Sequence, residues 1–200
     1  MKVITVNHLK LKEYSHKLAK QVLNSDFKPD LIIGIKTGGI FVSRPLYEKI
    51  SEKFNTLYCE LSLSRPLTNK KKKWQLYKLL KLLPYPLLNV LRNIEVKLYE
   101  STKPKKYILN KQNEILIDDK TIALIKKSEN ILLVDDAIDS GATLLEMKNK
   151  LLSINKYSNI KIAVLTLTHK SSYINSDFFL FKRVLLRCPW ANDYKNGAEL

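Results

Sequence analysis

Residues 131–144 read ILLVDDAIDSGATL, and the fold follows from this stretch. Ile131, Leu132, Leu133 and Val134 form a continuous apolar run of strand length, as expected of a strand buried on both faces in a parallel sheet. The pattern ends that strand before two adjacent carboxylates, Asp135 and Asp136, and starts a helix at Ser140-Gly141-Ala142-Thr143 that runs to residue 154. In open α/β sheets, ligands bind beyond the carboxyl ends of such strands. A helix start there offers backbone N–H groups and the positive end of the helix dipole, which suit a phosphate monoester. Ser140 and Thr143 add hydroxyl donors, and Gly141 allows close backbone approach. Neighbouring aspartates repel one another and serve a phosphate poorly. They suit the vicinal hydroxyls of a sugar, directly or through Mg2+. Phosphate on one side and diol on the other describe a ribose 5-phosphate. A buried strand followed by a solvated turn uses the same residue types, but it does not account for spacing that fits strand, loop and helix together.

Outward from this stretch, the same texture repeats. Residues 7–23 read as a helix capped by Asn7, with Leu11, Tyr14, Leu18 and Val22 at helical spacing. Residues 31–35 form a second buried strand, interrupted by Lys36-Thr37-Gly38-Gly39, and helical periodicity resumes over 41–54. Residues 56–63 and 160–167 read as further strands, and 184–186 as a shorter last one. Residues 107–109 and 115–117 suggest a β-hairpin. Strand and helix in alternation imply one Rossmann-like α/β domain over residues 1–200, a mostly parallel sheet flanked by helices.

The 131–144 stretch closely resembles the PRPP-binding signature of type I phosphoribosyltransferases: four hydrophobics, two acids, a spacer, an acid, then a Ser/Thr-Gly-small-Thr run. The resemblance implies that Asp135, Asp136, Ala137, Ile138, Asp139, Ser140, Gly141, Ala142 and Thr143 bind PRPP, with Mg2+ as cofactor. It also implies that Asp139 is the acid/base carboxylate near the acceptor nitrogen; an N-cap for the following helix is its plainer role. Lys36, Thr37, Gly38 and Gly39 stand where the family has its pyrophosphate loop, though many relatives carry Arg or Lys at the place of Thr37. Ser64 and Arg65 fall where the family has a mobile lid.

For the acceptor, two segments resemble 6-oxopurine enzymes of the family. Residues 165–170 end in Lys170, at the place of a lysine that faces the exocyclic oxygen of the base. The tail around Leu185, Leu186 and Trp190 is similar to the Pro-Trp segment of bacterial and archaeal purine transferases. Here Leu185 occupies the position of a stacking aromatic, and Ala191 that of an acid, with Asp193 offset nearby. The resemblance thus implies transfer of ribose 5-phosphate from PRPP to a nucleobase, most simply a 6-oxopurine, by a homo-oligomer (dimer or tetramer). A PRPP- or nucleotide-sensing regulator on the same core, or a membrane-associated transferase with a non-purine acceptor, is the alternative.

Composition sets the outer limits. With 45% apolar residues in 200, the chain has enough to build a core. Thirty-five Lys+Arg against 19 Asp+Glu give +16, favouring anionic partners. Residues 65–106 hold twelve Lys/Arg and two Glu, so a basic helical insertion carries most of that excess. Residues 74–83 and 87–98 read as its two helices. Its apolar residues suit a hood over the sheet or a foot on an anionic membrane, and nucleic acid is the third choice because only five of the basic residues are Arg. Cys59 and Cys188 are too few for a disulfide scaffold, and His8, His16 and His169 lack zinc-ligand spacing. No apolar window reaches the roughly 18 residues of a spanning helix, nor does the N-terminus carry a secretory h-region. A cytoplasmic protein is expected, with peripheral attachment at the inner face of the membrane as a variant.

Overall fold

The computed structural model describes residues 1–63, 80, 82–102, 115 and 117–195. Five parallel strands make the main sheet: β2 (Leu31–Ile35), β3 (Leu57–Leu61), β4 (Asn130–Ile138), β5 (Asn159–Leu167) and β6 (Phe178–Lys182), in the order β3-β2-β4-β5-β6. A separate parallel pair joins β1 (Lys2–Thr5) to β7 (Val184–Arg187). The helices are α1 (His8–Leu23), α2 (Ile40–Ser51), α3 (Tyr85–Thr102), α4 (Asp119–Lys127) and α5 (Ala142–Ile154).

Strand alternation sorts the core into two layers. Ile32, Leu132, Val134, Ala163 and Leu165 point to one face, where Leu18 and Val22 of α1 and Val42, Leu46 and Ile50 of α2 cover them. On the opposite face, Ile33, Leu133, Ile162 and Val164 meet Ile125 of α4 and Leu144, Met147 and Leu151 of α5. Every residue of β2 is buried, which is why its sequence is apolar without alternation. Asn7 caps α1 as expected, its Oδ1 accepting from Lys10 N at 2.8 Å.

From β2 the chain steps outward to β3 and then returns across β2 to β4, so the sheet's winding reverses between β2 and β4. Their register is Leu31 to Ile131 through Gly34 to Val134, which sets the loops after both strands side by side. That crevice is where an open α/β sheet binds ligands.

Several expectations are corrected. β4 does not stop at Val134: it runs to Ile138, because β5 continues beside it and pairs Asp135 with Val164 and Ala137 with Thr166. The two aspartates therefore stand on the strand itself. Ile115 and Ile117 belong to no strand and pack against the α4/α5 layer, while residues 107–109 lie outside the described residues. β7 joins β1 and not the main sheet. Of the two insertion helices, the second is α3, and 74–83 falls almost wholly outside the described residues. β1, α4 and β6 were not expected.

α3 turns Leu88 and Val96 inward and leaves Leu87, Val90, Leu91, Ile94 and Leu98 exposed. Polar anchors hold it. Arg187, at 1% exposure, donates from Nε to Asp193 Oδ2 (2.9 Å), from Nη1 to Thr5 Oγ1 (3.1 Å) and from Nη2 to Asn89 Oδ1 (2.7 Å). Arg92 donates from Nε to the same Asp193 Oδ2 at 2.8 Å and from Nη2 to Oδ1. Asp193 thus ties the tail, β7 and α3 together. Burial pushes its pKa up, but the bonds to Arg92 and Arg187 outweigh this and hold it below the ordinary value.

Removing that carboxylate leaves Arg187 buried without a counter-ion. Asp193→Ala is expected to lower unfolding free energy by about 3 kcal/mol in urea denaturation at pH 7. Because the folded pKa is depressed, the contribution is present above the unfolded value and fades as pH falls below 3.8, where variant and wild type converge.

Candidate active site

The β2–α2 loop carries Lys36, Thr37, Gly38 and Gly39, with the Lys36–Thr37 peptide in the cis form. It presses directly on the aspartates of β4. A Cβ on Gly38 would lie 2.5 Å from Asp136 Oδ2, and one on Gly39 2.8 Å from Asp135 Oδ1. Glycine is required there because the backbone occupies the space of a side chain. Lys36 N donates to Leu61 O at 2.8 Å, holding the loop's start against β3. Beside it, Glu60 Oε1 accepts from Arg44 Nε (2.8 Å) and Tyr58 Oη (3.1 Å), and Lys36 Nζ lies 3.8 Å from Oε2. Burial works against ionising Glu60, yet these partners hold its pKa below the ordinary value. Thr37 brings no charge to the loop, but Lys36 and Arg44 stand together at its flank.

Asp135 and Asp136 sit at the crevice. Asp136 N donates to Asp135 Oδ1 at 2.9 Å, and Trp190 Nε1 donates to Asp136 Oδ2 at 3.1 Å. Burial, reinforced by the charge of Asp136, raises the Asp135 pKa well above the ordinary range. Burial also raises Asp136, with the charge of Asp139 adding to it and the bonds from Asp135 and Trp190 opposing it. The pair is short of positive partners, so hydroxyl donors or a cation would find it ready.

Past Ile138 the chain makes the turn into α5. Gly141 has φ +79°, and a Cβ there would lie 2.9 Å from Ile174 Cγ2, so both conformation and contact call for glycine. Ser140 Oγ accepts from Ala142 N at 3.2 Å. Asp135, Asp136, Ala137, Asp139, Ser140, Gly141, Ala142 and Thr143 all line one cavity of about 360 Å3, with Leu185, Leu186 and Cys188 on its other wall. Burial raises the Cys188 thiol pKa, so it stays protonated and behaves as an apolar lining group.

A second cavity of about 570 Å3 adjoins the first beneath α3. The two share Arg92, Asp139, Ser140, Thr168 and Leu185, while Leu88, Glu95, Val96, Tyr99 and His169 are among the others that line the second. Tyr99 stacks on His169 with centroids 4.4 Å apart.

The residues expected to contact a base are scattered. Leu185 and Leu186 line the cavities. Trp190 stacks on Phe41 at 4.8 Å and supports Asp136 without lining either one. Lys170 is exposed, lines neither cavity, and donates its backbone N–H to Glu100 Oε1 at 2.9 Å. Ser64 and Arg65 lie outside the described residues. Sequence reading missed Arg92, Glu95, Tyr99 and Thr168. One signal was available: Leu88, Arg92, Val96 and Tyr99 recur every three or four residues, marking one helix face that contains a lone arginine.

The family model described as the phosphoribosyl transferase domain matches residues 82–193. The chain belongs to this family. Solved structures share the fold. The purine phosphoribosyltransferase of Pyrococcus horikoshii superposes with a TM-score of 0.58 at 17% identity, covering 96% of this chain and 95% of that one. A Neisseria gonorrhoeae protein solved with bound ppGpp gives 0.57 at 16% identity, covering 94% and 89%. The xanthine-guanine-hypoxanthine phosphoribosyltransferase of Helicobacter pylori gives 0.53 at 15% identity, covering 92% and 91%. No curated protein matches the chain.

The raised carboxylate pKa values carry a consequence for stability. An acid whose folded pKa is raised favours the fold at low pH, and the penalty grows as pH rises from the unfolded toward the folded value. Asp135→Asn, which keeps an oxygen for Asp136 N, is expected to stabilise the ligand-free protein at pH 7 by about 1 kcal/mol. Thermal melts at pH 4 and pH 7 check this: the gain appears at pH 7 and shrinks at pH 4.

Proposed function

We propose that the protein transfers ribose 5-phosphate from PRPP to a ring nitrogen of a nucleobase, with a 6-oxopurine as acceptor, and releases pyrophosphate. The observation that carries this reading is Asp139, which borders both cavities at once: one lined by Asp135, Asp136 and the Ser140–Thr143 turn, which this reading gives to the sugar phosphate, and one beneath α3, which it gives to the acceptor. The 5-phosphate sits on the turn from Ser140 to Thr143, at the N-terminus of α5. Asp135 and Asp136 hold the two ribose hydroxyls, and the Lys36–Gly39 loop takes the diphosphate.

The acceptor nitrogen forms a bond to ribose carbon 1 as the bond from that carbon to the diphosphate oxygen breaks. The electron pair leaves with diphosphate, and the proton of the acceptor N–H passes to the Asp139 carboxylate. Carbon 1 becomes cationic on the way, so rate depends on fixing the two reactants in line and shielding them from water. α3 contributes the shield, closing the side opposite the β4–α5 turn.

Mg2+ fits this site in a restricted manner. Among the described residues no group of three or more His, Cys, Asp or Glu is placed to hold a metal ion. Two carboxylates, Asp135 and Asp136, face the sugar position, and Mg2+ characteristically takes one or two carboxylates with substrate oxygens and water. When bound with PRPP, it would neutralise charge on the departing diphosphate. No helix among the described residues is long and apolar enough to cross a membrane.

A second reading, a nucleotide-binding regulator on the same core, is favoured by Thr37 in the diphosphate loop and Leu185 at the aromatic position. A panel of nucleobases with PRPP and Mg2+, read by pyrophosphate release and by mass of the mononucleotide, separates the two. Turnover with a 6-oxopurine supports the transferase, and Asp139→Asn should then lower kcat about 100-fold with PRPP affinity within about twofold. PRPP binding with no product from any base supports the regulator.

A further inference from the structure

We propose that Arg92 of α3 is the acceptor-recognition residue, reading an oxo group on the base; the inference rests on the transferase reading above. Among the described residues that line the two cavities, Arg92 is the only lysine or arginine, and it borders both. The acids around the same space are Asp135, Asp136, Asp139 and Glu95, with Asp193 at the second cavity. A single cation among acids defines where an electronegative group of a ligand will settle.

The guanidinium is held in a fixed pose. Asp193 grips Nε and Nη2, and Nη1 donates to Leu186 O at 3.3 Å. These bonds use three of the five N–H donors of an arginine. The side chain keeps 21% exposure, whereas Arg187, which shares the carboxylate, is buried at 1%. One carboxylate between two guanidinium groups leaves a positive charge unmatched within the trio, and Arg92 is the member that reaches the cavity. Apolar and aromatic side chains make part of the wall beside it: Leu88, Val96, Leu185 and Tyr99. A flat apolar body with a polar oxygen at its edge matches that combination. Lys170, the residue expected to face the oxygen, is outside both cavities. The acceptor contact has therefore moved from the end of β5 to α3.

Arg92 also pins the tail, so the test must separate recognition from scaffolding. Arg92→Met leaves Asp193 paired with Arg187, and Arg92→Lys keeps the charge without the fork. Steady-state kinetics with hypoxanthine, guanine and adenine would be run on wild type, both Arg92 variants and Lys170→Met, with PRPP affinity by calorimetry and melting temperature for each. The expected result for Arg92→Met is a rise in KM for the oxopurines of roughly tenfold or more, with PRPP affinity within about twofold and a weaker preference for oxo over amino bases. Arg92→Lys should lie between, and Lys170→Met should leave the acceptor KM within about twofold. The proposal is overturned if Arg92→Met only lowers the melting temperature, if PRPP affinity falls in the same proportion, or if Lys170→Met gives the larger KM effect. Wild type that binds PRPP yet uses none of the bases also overturns it. Wild type that fails to bind PRPP overturns the transferase reading and this one together.

Discussion

The parallel pairing of β2 with β4 is the constraint on which the rest of the molecule depends. It joins the first strand of the main sheet to one reached a hundred residues later, and at that joint the winding of the sheet reverses. The loops after the two strands must then share one small space. Gly38 and Gly39 settle against Asp136 and Asp135 at distances no side chain would permit. The same register that buries Gly34 beside Val134 thereby brings the Lys36–Gly39 loop, two carboxylates and a helix N-terminus close together. Substitution of either loop glycine would disturb carboxylate and loop alike.

Charge runs opposite to what composition suggests. The chain carries +16, yet the cavities at the switch point are lined by five acids and one arginine among the described residues. The basic residues lie elsewhere: Lys36 and Arg44 flank the loop through Glu60, and most of the excess falls in residues 65–106. Acids packed without matching cations are costly in the free protein, and the raised pKa values of Asp135 and Asp136 express that cost. A ligand that brings hydroxyls and a divalent cation relieves it. Stability given up in the free state becomes binding preference in the complex, a common arrangement at functional sites.

The legible part of the sequence was the part governed by local pattern. Apolar runs containing β-branched residues marked β2, β4 and β5, and the 131–144 stretch announced loop and helix together. Asn7 before Leu11 and Tyr14 gave the first helix its start. β4 was read too short because Asp135 and Asp136 look like turn residues; only pairing with Val164 to Leu167 keeps them in a strand. β1 and β7, four residues each, exist through each other and through Arg187, a partnership between positions nearly the full chain apart. The inward face of α3 was hidden for another reason. Its outward residues are the more apolar ones, so a hydrophobicity argument points the helix the wrong way, and polar anchors at Arg92, Asn89 and Glu100 decide the orientation instead.

The most direct measurement is titration calorimetry of the wild-type protein and of Asp135→Asn with PRPP and Mg2+ near pH 7. Burial and mutual repulsion make the carboxylate pair costly in the free site, and ribose hydroxyls with the cation should relieve that cost on arrival. The account predicts binding by the wild type that Asp135→Asn abolishes. Absence of binding, or binding that Asp135→Asn leaves unchanged, would contradict it.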